Sequence, residues 1–218
     1  MREVIPTIVP ESFADLIAKQ SVLGAFASAI HIDVADGVFA PNMTWLPSGE
    51  ELPDTGRIVY EAHLMVSTPL DVGLAFVRAG ARRIIGHIEA FGSAETVFSA
   101  FDAWRAAGAR EVGLALLLET SLKAIEPYLS RCDVVNMMTI ATIGRQGIPF
   151  DARSIARIEQ FHIMFPNVTI AVDGGENEEH IAQTGRAGAT RFVVGSAIAQ
   201  AADPRAVYSQ LLERANAV

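Results

Sequence analysis

The chain has one cysteine, Cys132, and two lysines, Lys19 and Lys123, among 218 residues. A lone cysteine excludes an intramolecular disulfide framework and any cysteine-based zinc cluster, and it suits a reducing, cytoplasmic setting. The scarcity of lysine confines any Schiff-base or lysine-dependent chemistry to two positions. No apolar run reaches the ~18 residues that a membrane-spanning helix needs. The opening Met1-Arg2-Glu3 carries an acid and leads into only a short apolar run, so no leader peptide is expected. A basic run is also missing: 17 Lys and Arg stand against 25 Asp and Glu, for a formal net charge of −8. Nucleic acid is therefore excluded as a partner, because affinity for it comes largely from cationic contacts to phosphate. No linker or low-complexity tract divides the chain, and a single domain over residues 1–218 is expected.

Hydrophobic residues make up 50% of the chain, and they are arranged in a regular alternation. Strand-like runs at 3–9, 29–34, 57–65, 82–88, 111–118, 133–140, 168–172 and 191–194 alternate with helix-period segments at 69–79, 93–107, 121–129, 152–165, 177–187 and 204–215. Runs such as Val112-Gly-Leu-Ala-Leu-Leu-Leu118 have the unbroken apolar character of parallel strands covered on both faces. Pro69 and Pro204 stand at helix starts, where the missing N–H has no cost. Ala79-Gly80-Ala81, Ala107-Gly108-Ala109 and Ala187-Gly188-Ala189 each separate a helical pattern from the next strand, with glycine as the helix stop. Eight such units predict an α/β fold, a (β/α)8 TIM barrel; a doubly wound open sheet is the alternative. Residues 37–56 are polar, contain three prolines and leave room for only a short second helix.

A barrel forms its active site at the C-terminal ends of its strands. His31 and Asp33 lie two apart and share one face of their strand; His63 falls near the end of the third strand, and Asp173 ends the seventh. If those faces point inward, two imidazoles and two carboxylates converge, a donor set of mixed hardness that suits zinc, iron or manganese rather than calcium. The plainer alternative is a packed histidine and a helix-capping aspartate at each position; Asp36 and Asp71 are read as such caps. His87 and Glu89 form a further His-x-Glu pair, read as support or structure, and His162 and His180 as surface helix residues. Gly174-Gly175 and Gly195-Ser196 follow strands seven and eight, where backbone N–H groups can approach a phosphate.

Pro6-Thr-Ile-Val9, His31-Ile-Asp-Val-Ala-Asp-Gly37 with Pro41-Asn42, His63-Leu-Met-Val66, Val172-Asp-Gly-Gly175 and Gly195-Ser-Ala-Ile198 together resemble the ribulose-phosphate 3-epimerase family. The resemblance runs from the first strand to the last. It implies one divalent metal ion (zinc, iron, manganese or cobalt) on His31, Asp33, His63 and Asp173, with Asp33 and Asp173 as the paired acid and base. It also implies a cap of Met65 and Met138 over the reacting sugar, Thr7 beside it, a phosphorylated ketose as partner, and a cytoplasmic homo-oligomer. Two departures stand out. Ala35 replaces a family methionine of the cap. The segment Ile140-Ala-Thr-Ile-Gly-Arg-Gln-Gly147 is shorter than the family's Asn-Pro-Gly-Phe-Gly-Gly-Gln loop, with Gly144, Gln146 and Gly147 as its remnants. Arg145 is expected to offer a charge-assisted phosphate contact there, the alternative being a solvated loop cation. The implied activity is 3-epimerisation of ribulose 5-phosphate, or of a related substrate such as allulose 6-phosphate. A barrel decarboxylase or aldolase is disfavoured, since Ala35 stands where the decarboxylases carry a lysine. A sugar-phosphate-binding barrel without turnover is the other reading.

Overall fold

A computed structural model describes residues 2–144 and 147–218. Along it run β1 (Glu3–Ile8), α1 (Phe13–Leu23), β2 (Ala29–Ala35), β3 (Val59–Met65), α2 (Pro69–Ala79), β4 (Arg83–His87), α3 (Ala94–Ala107), β5 (Glu111–Leu116), β6 (Val134–Met138), α4 (Arg153–Met164), β7 (Ile170–Asp173), α5 (Glu178–Ala187), β8 (Arg191–Val194), α6 (Ser196–Ala199) and α7 (Pro204–Asn216). Eight parallel strands pair in sequence order, and β1 closes on β8, making the expected (β/α)8 barrel.

The strand period of two divides each strand between two environments. Ile30, Ile32, Val34, Tyr60, Ala62 and Leu64 pack in one core with helix residues Phe76, Phe101, Trp104 and Phe161. The alternate residues, His31, Asp33, Glu61 and His63 among them, face the lumen, where Ile85, Ala115, Val134 and Ala171 form a small apolar cluster of their own. Gly80, Gly108 and Gly188 end α2, α3 and α5 at φ between 113° and 120°, which bears out the three glycine stops.

Three expectations need correction. No helix forms between β2 and β3, because the prolines and polar residues there cannot sustain one. The segment is held by single backbone bonds instead, Trp45 N–H to Pro10 O at 2.8 Å and Leu52 N–H to Ala79 O at 2.7 Å. Trp45 packs against Phe13 and Phe76, covering the barrel wall where a helix would lie, while Phe39 and Ala40 of the same segment reach the mouth of the barrel. Residues Leu122–Arg131 form a 3₁₀ rather than an α-helix; Pro127 inside the segment removes a donor that an α-helix would use. Asp36 and Asp71 are not helix caps. Asp36 accepts from the Val38, Phe39 and Ser67 N–H groups and pins a turn, and Asp71 sits in the first turn of α2, whose cap position is Thr68.

At the N-terminal end of the lumen, charged residues replace the usual aliphatic layer. Arg191 donates to Glu3 at 3.1 Å, Glu61 at 2.9 Å and Glu111 at 2.8 Å, and Arg83 bridges Glu3 and Glu111 at 3.0 Å each. Glu61 is wholly buried, and Arg191 is its guanidinium partner. Removing one member of a buried pair leaves the other uncompensated, at a cost of about 3–5 kcal/mol. Arg191→Leu should therefore lower unfolding free energy by about that amount in urea titrations. An unchanged midpoint would show that the network contributes nothing net.

Candidate metal centre

His31 and Asp33 alternate on β2, which turns both into the lumen, and the β2–β3 register sets Asp33 beside His63 and His31 beside Glu61. Asp173 closes the ring from the end of β7. One donor atom from each of His31, Asp33, His63 and Asp173 lies within 4.8 Å of the others. His63 Nδ1 is 3.2 Å from Asp33 Oδ1 and 3.1 Å from Asp173 Oδ2; His31 Nε2 is 3.4 Å and 3.6 Å from the same two oxygens.

Two observations show that these residues fit a divalent cation. His31 Nε2 is buried and has no hydrogen-bond partner among the described residues, so a donor atom aimed at the centre is otherwise unsatisfied. The electrostatics also call for positive charge. Burial pushes the His31 imidazole pKa down, but the adjoining Asp33 carboxylate, the hydrogen bond to Glu61 and the charge of Asp173 outweigh it and raise the pKa to about 10. His63 is raised as well, its burial outweighed by hydrogen bonds to Asp173 and Asp33. Asp33 shows the converse: burial would raise it, yet the two imidazoles hold it well below the usual carboxylate range. Protons on the imidazoles satisfy that demand, and so does a divalent ion that displaces them. Two nitrogens and two carboxylate oxygens are a zinc-, iron-, manganese- or cobalt-type donor set.

Each imidazole is gripped from behind. His31 Nδ1 lies 2.8 Å from Glu61 Oε1. Burial would raise the Glu61 pKa, but the His31 hydrogen bond and the Arg191 charge bring it down to about 2. His63 Nε2 lies 2.9 Å from His87 Nε2, and His87 Nδ1 is 3.2 Å from Glu89. Thr7 donates its hydroxyl to Asp33 Oδ2 at 3.0 Å. Asn136, fully buried on β6, directs Nδ2 to Asp173 Oδ2 at 3.5 Å.

Above the centre, Met65 and Met138 pack with Ala35, Ala40, Ile140 and Ile143. The cavity there is lined by Thr7, Asp33, Met65, Met138 and Asp173 together with Gly144, Gly147, Gly174, Gly175, Gly195 and Ser196, so these expected site residues share one space. Arg145 and Gln146 lie outside the described residues. Gly174 and Gly175 adopt φ of 119° and 68°, and a Cβ on Gly175 would stand 2.7 Å from the Phe150 backbone nitrogen. Only glycine fits that turn. Lys19 lies on α1, bonded to Asp15 and the Val9 carbonyl, and Lys123 is in the 3₁₀ segment, so neither lysine lines the cavity.

Three contributors were absent from the sequence-based site, Glu61, Asn136 and Glu176, while His87 and Glu89 stand behind His63 as the support they were read to be. Glu61 and Asn136 were detectable by stepping two residues back from His63 and Met138 on the inward face. Glu176 follows the two glycines; it is 4% exposed and lines the same cavity, with Oε1 unpartnered among the described residues. Burial, reinforced by the Asp173 charge, pushes its carboxyl pKa well up.

A model of the ribulose-phosphate 3 epimerase family matches residues 3–199. The ribulose-phosphate 3-epimerase of Mycobacterium leprae is 32% identical over 220 residues, which cover 99% of this chain and 96% of that protein. Its counterpart from Chlamydia muridarum is 34% identical over 200 residues, covering 88% and 86% of the two chains. The solved structure of KGPDC from Streptococcus mutans superposes with a TM-score of 0.73, covering 100% of this chain and 99% of that one, at 13% identity, a likeness of fold alone. Sequence relatives that run from the first strand to the last, at about a third identity, make this chain a member of the ribulose-phosphate 3-epimerase family.

Proposed function

We propose that the chain is a metal-dependent 3-epimerase of ketose phosphates, acting on ribulose 5-phosphate to give xylulose 5-phosphate or on a related substrate such as allulose 6-phosphate. The observation that carries the reading is the pair Asp33 and Asp173. They come from β2 and β7, three strands apart around the barrel, and line one cavity above one cluster of cation ligands. Each carboxylate turns a single oxygen toward the imidazoles, Asp33 Oδ1 and Asp173 Oδ2. Its second oxygen is left to face the sugar.

Epimerisation removes the C3 proton from one side of the carbon and returns a proton to the other. One aspartate takes the proton and the other supplies it, exchanging roles with the direction of reaction. Thr7 orients the reacting oxygen of Asp33 through its hydroxyl. Met65 and Met138 exclude water above the carbon without offering a competing base. A divalent ion held by His31, Asp33, His63 and Asp173 would act as a Lewis acid toward the oxygen beside C3. The turn at Gly174 and Gly175, with Gly195 and Ser196, supplies backbone N–H groups for the phosphate. The cytoplasmic location and homo-oligomeric state expected of the family belong to the same proposal.

With ribulose 5-phosphate in deuterated water, the protein should introduce deuterium at C3 and form xylulose 5-phosphate, both followed by NMR. Asp173→Asn and Asp33→Asn should each lower the rate of epimerisation by about 10²–10⁴-fold. Binding without exchange would instead support a non-catalytic sugar-phosphate barrel, and faster turnover of allulose 6-phosphate would reassign the substrate. Removal of metal by a chelator should lower thermal stability, and restoring manganese, zinc, cobalt or ferrous ion at ~100 times its dissociation constant should return about 2.7 kcal/mol. A melting temperature indifferent to both treatments would argue against a resident metal.

A further inference from the structure

A buried histidine beside a ligand histidine would ordinarily be read as packing, but His87 is tied into a directional chain. His87, at the end of β4, is fully buried, as is His63. Their rings stack at 4.9 Å between centroids, and the two Nε2 atoms are 2.9 Å apart. A hydrogen bond between two ring nitrogens contains one proton, so one ring donates and the other accepts.

Glu89 decides which. Its Oε2 lies 3.2 Å from His87 Nδ1, and a carboxylate can only accept. Its Oε1 accepts the Leu117 N–H at 2.9 Å and the Thr120 hydroxyl, which fix the carboxylate in place. The single proton of a neutral His87 is therefore on Nδ1, and its Nε2 is a lone pair. His63 must then carry a proton on Nε2, so that Nδ1, the atom that meets Asp33 and Asp173 at the centre, is the nitrogen whose proton a cation displaces. His31 is arranged with the nitrogens reversed: Nδ1 faces Glu61, and Nε2 faces the centre.

We propose that His87, oriented by Glu89, is a positioning residue that selects the tautomer of His63 and so aims the Nδ1 lone pair of His63 at the cation. The proposal rests on the metal-dependent reading above. It gives the two ligand histidines different supports, a carboxylate anchored by Arg191 behind His31 and an imidazole anchored by Glu89 behind His63. Phe39 lies 5.0 Å from His87 and closes the far side of the relay.

Glu89→Gln tests the sense of the chain with almost no change of shape. The Leu117 N–H and Thr120 hydroxyl still demand an acceptor, so the amide oxygen stays with them and the amide NH₂ turns to His87 Nδ1. That reverses every bond in the relay: His87 becomes a donor through Nε2, and His63, left to accept on Nε2, keeps its proton on Nδ1, where it blocks ligation. The measurement is affinity for manganese or cobalt ion alone, by competition with a fluorescent chelator on the full chain. Nitrogen-15 spectra of the histidines in the metal-free protein report the tautomers. Glu89→Gln and His87→Phe should each weaken metal binding by about 10–100-fold, the usual effect of losing a support behind a ligand. His87→Gln, which offers an amide oxygen to His63, should recover most of the loss. The spectra should show a proton on His63 Nε2 in the parent and none there in Glu89→Gln. Parent-like affinity and an unmoved tautomer in folded Glu89→Gln would overturn the relay while leaving the proposed function standing. A parent protein that binds no metal would overturn both.

Discussion

Two carboxylates and two imidazoles share a space inside the barrel from which water is nearly excluded, and the compensation of that buried charge is the constraint on which the surrounding structure depends. Ionised groups in such a place are tolerated only when paired and hydrogen-bonded. The layers below supply the pairing in order: Glu61 against His31, Arg191 against Glu61, then Glu3, Glu111 and Arg83 around Arg191. A lumen that in many barrels is filled with branched aliphatic side chains is here split, ionic at its base, apolar in the layer that holds Ile85, Ala115, Val134 and Ala171, and polar again at its mouth. The chemistry at the top and the ion pairs at the bottom are thus parts of one electrostatic structure, joined through Glu61.

The fold was legible because its signals are local. Unbroken apolar strands, prolines at the first turns of α2 and α7, and glycines just past α2, α3 and α5 each act within a few residues, and together they mark the alternation. The four cluster residues were legible for a similar reason: His31 and Asp33 share a strand face, and His63 and Asp173 stand at strand ends. What escaped depends on contacts between strands. The role of Glu61 comes from its register beside His31, a distance not written in the spacing of the chain. Glu176 escaped differently, as a carboxyl in a position where exposure was the natural assumption. The failures of local reading have local causes as well: Pro127 tightens a helix into a 3₁₀ turn, and Asp36 is taken up by two turn N–H groups and by the N–H and hydroxyl of Ser67.

The low lysine content acquires a structural meaning. With Lys19 of α1 bound to the Val9 carbonyl and Lys123 on the outer 3₁₀ segment, the cavity has no amine to form a covalent adduct with a ketose. The carbonyl can be handled only by hydrogen bonding or by a cation. Neither lysine stands near Gly174, Gly175 and Gly195, and in the proposed function backbone N–H groups there would meet the phosphate. Backbone N–H groups cannot be titrated.

The stretch between β2 and β3 does two jobs that other parts of the barrel separate. Its far half, with Trp45 against Phe13 and Phe76, is wall. Its near half, with Phe39 over His87 and Ala40 beside Met65 and Met138, is lid. Elsewhere a helix insulates the loops over the mouth from the hydrophobic shell, so that loops can vary while the shell stays still. Here a change that reshapes the lid pulls on the same few residues that seal the wall. Substrate range and heat tolerance are then not independent traits in this protein, and across a lineage they would drift together.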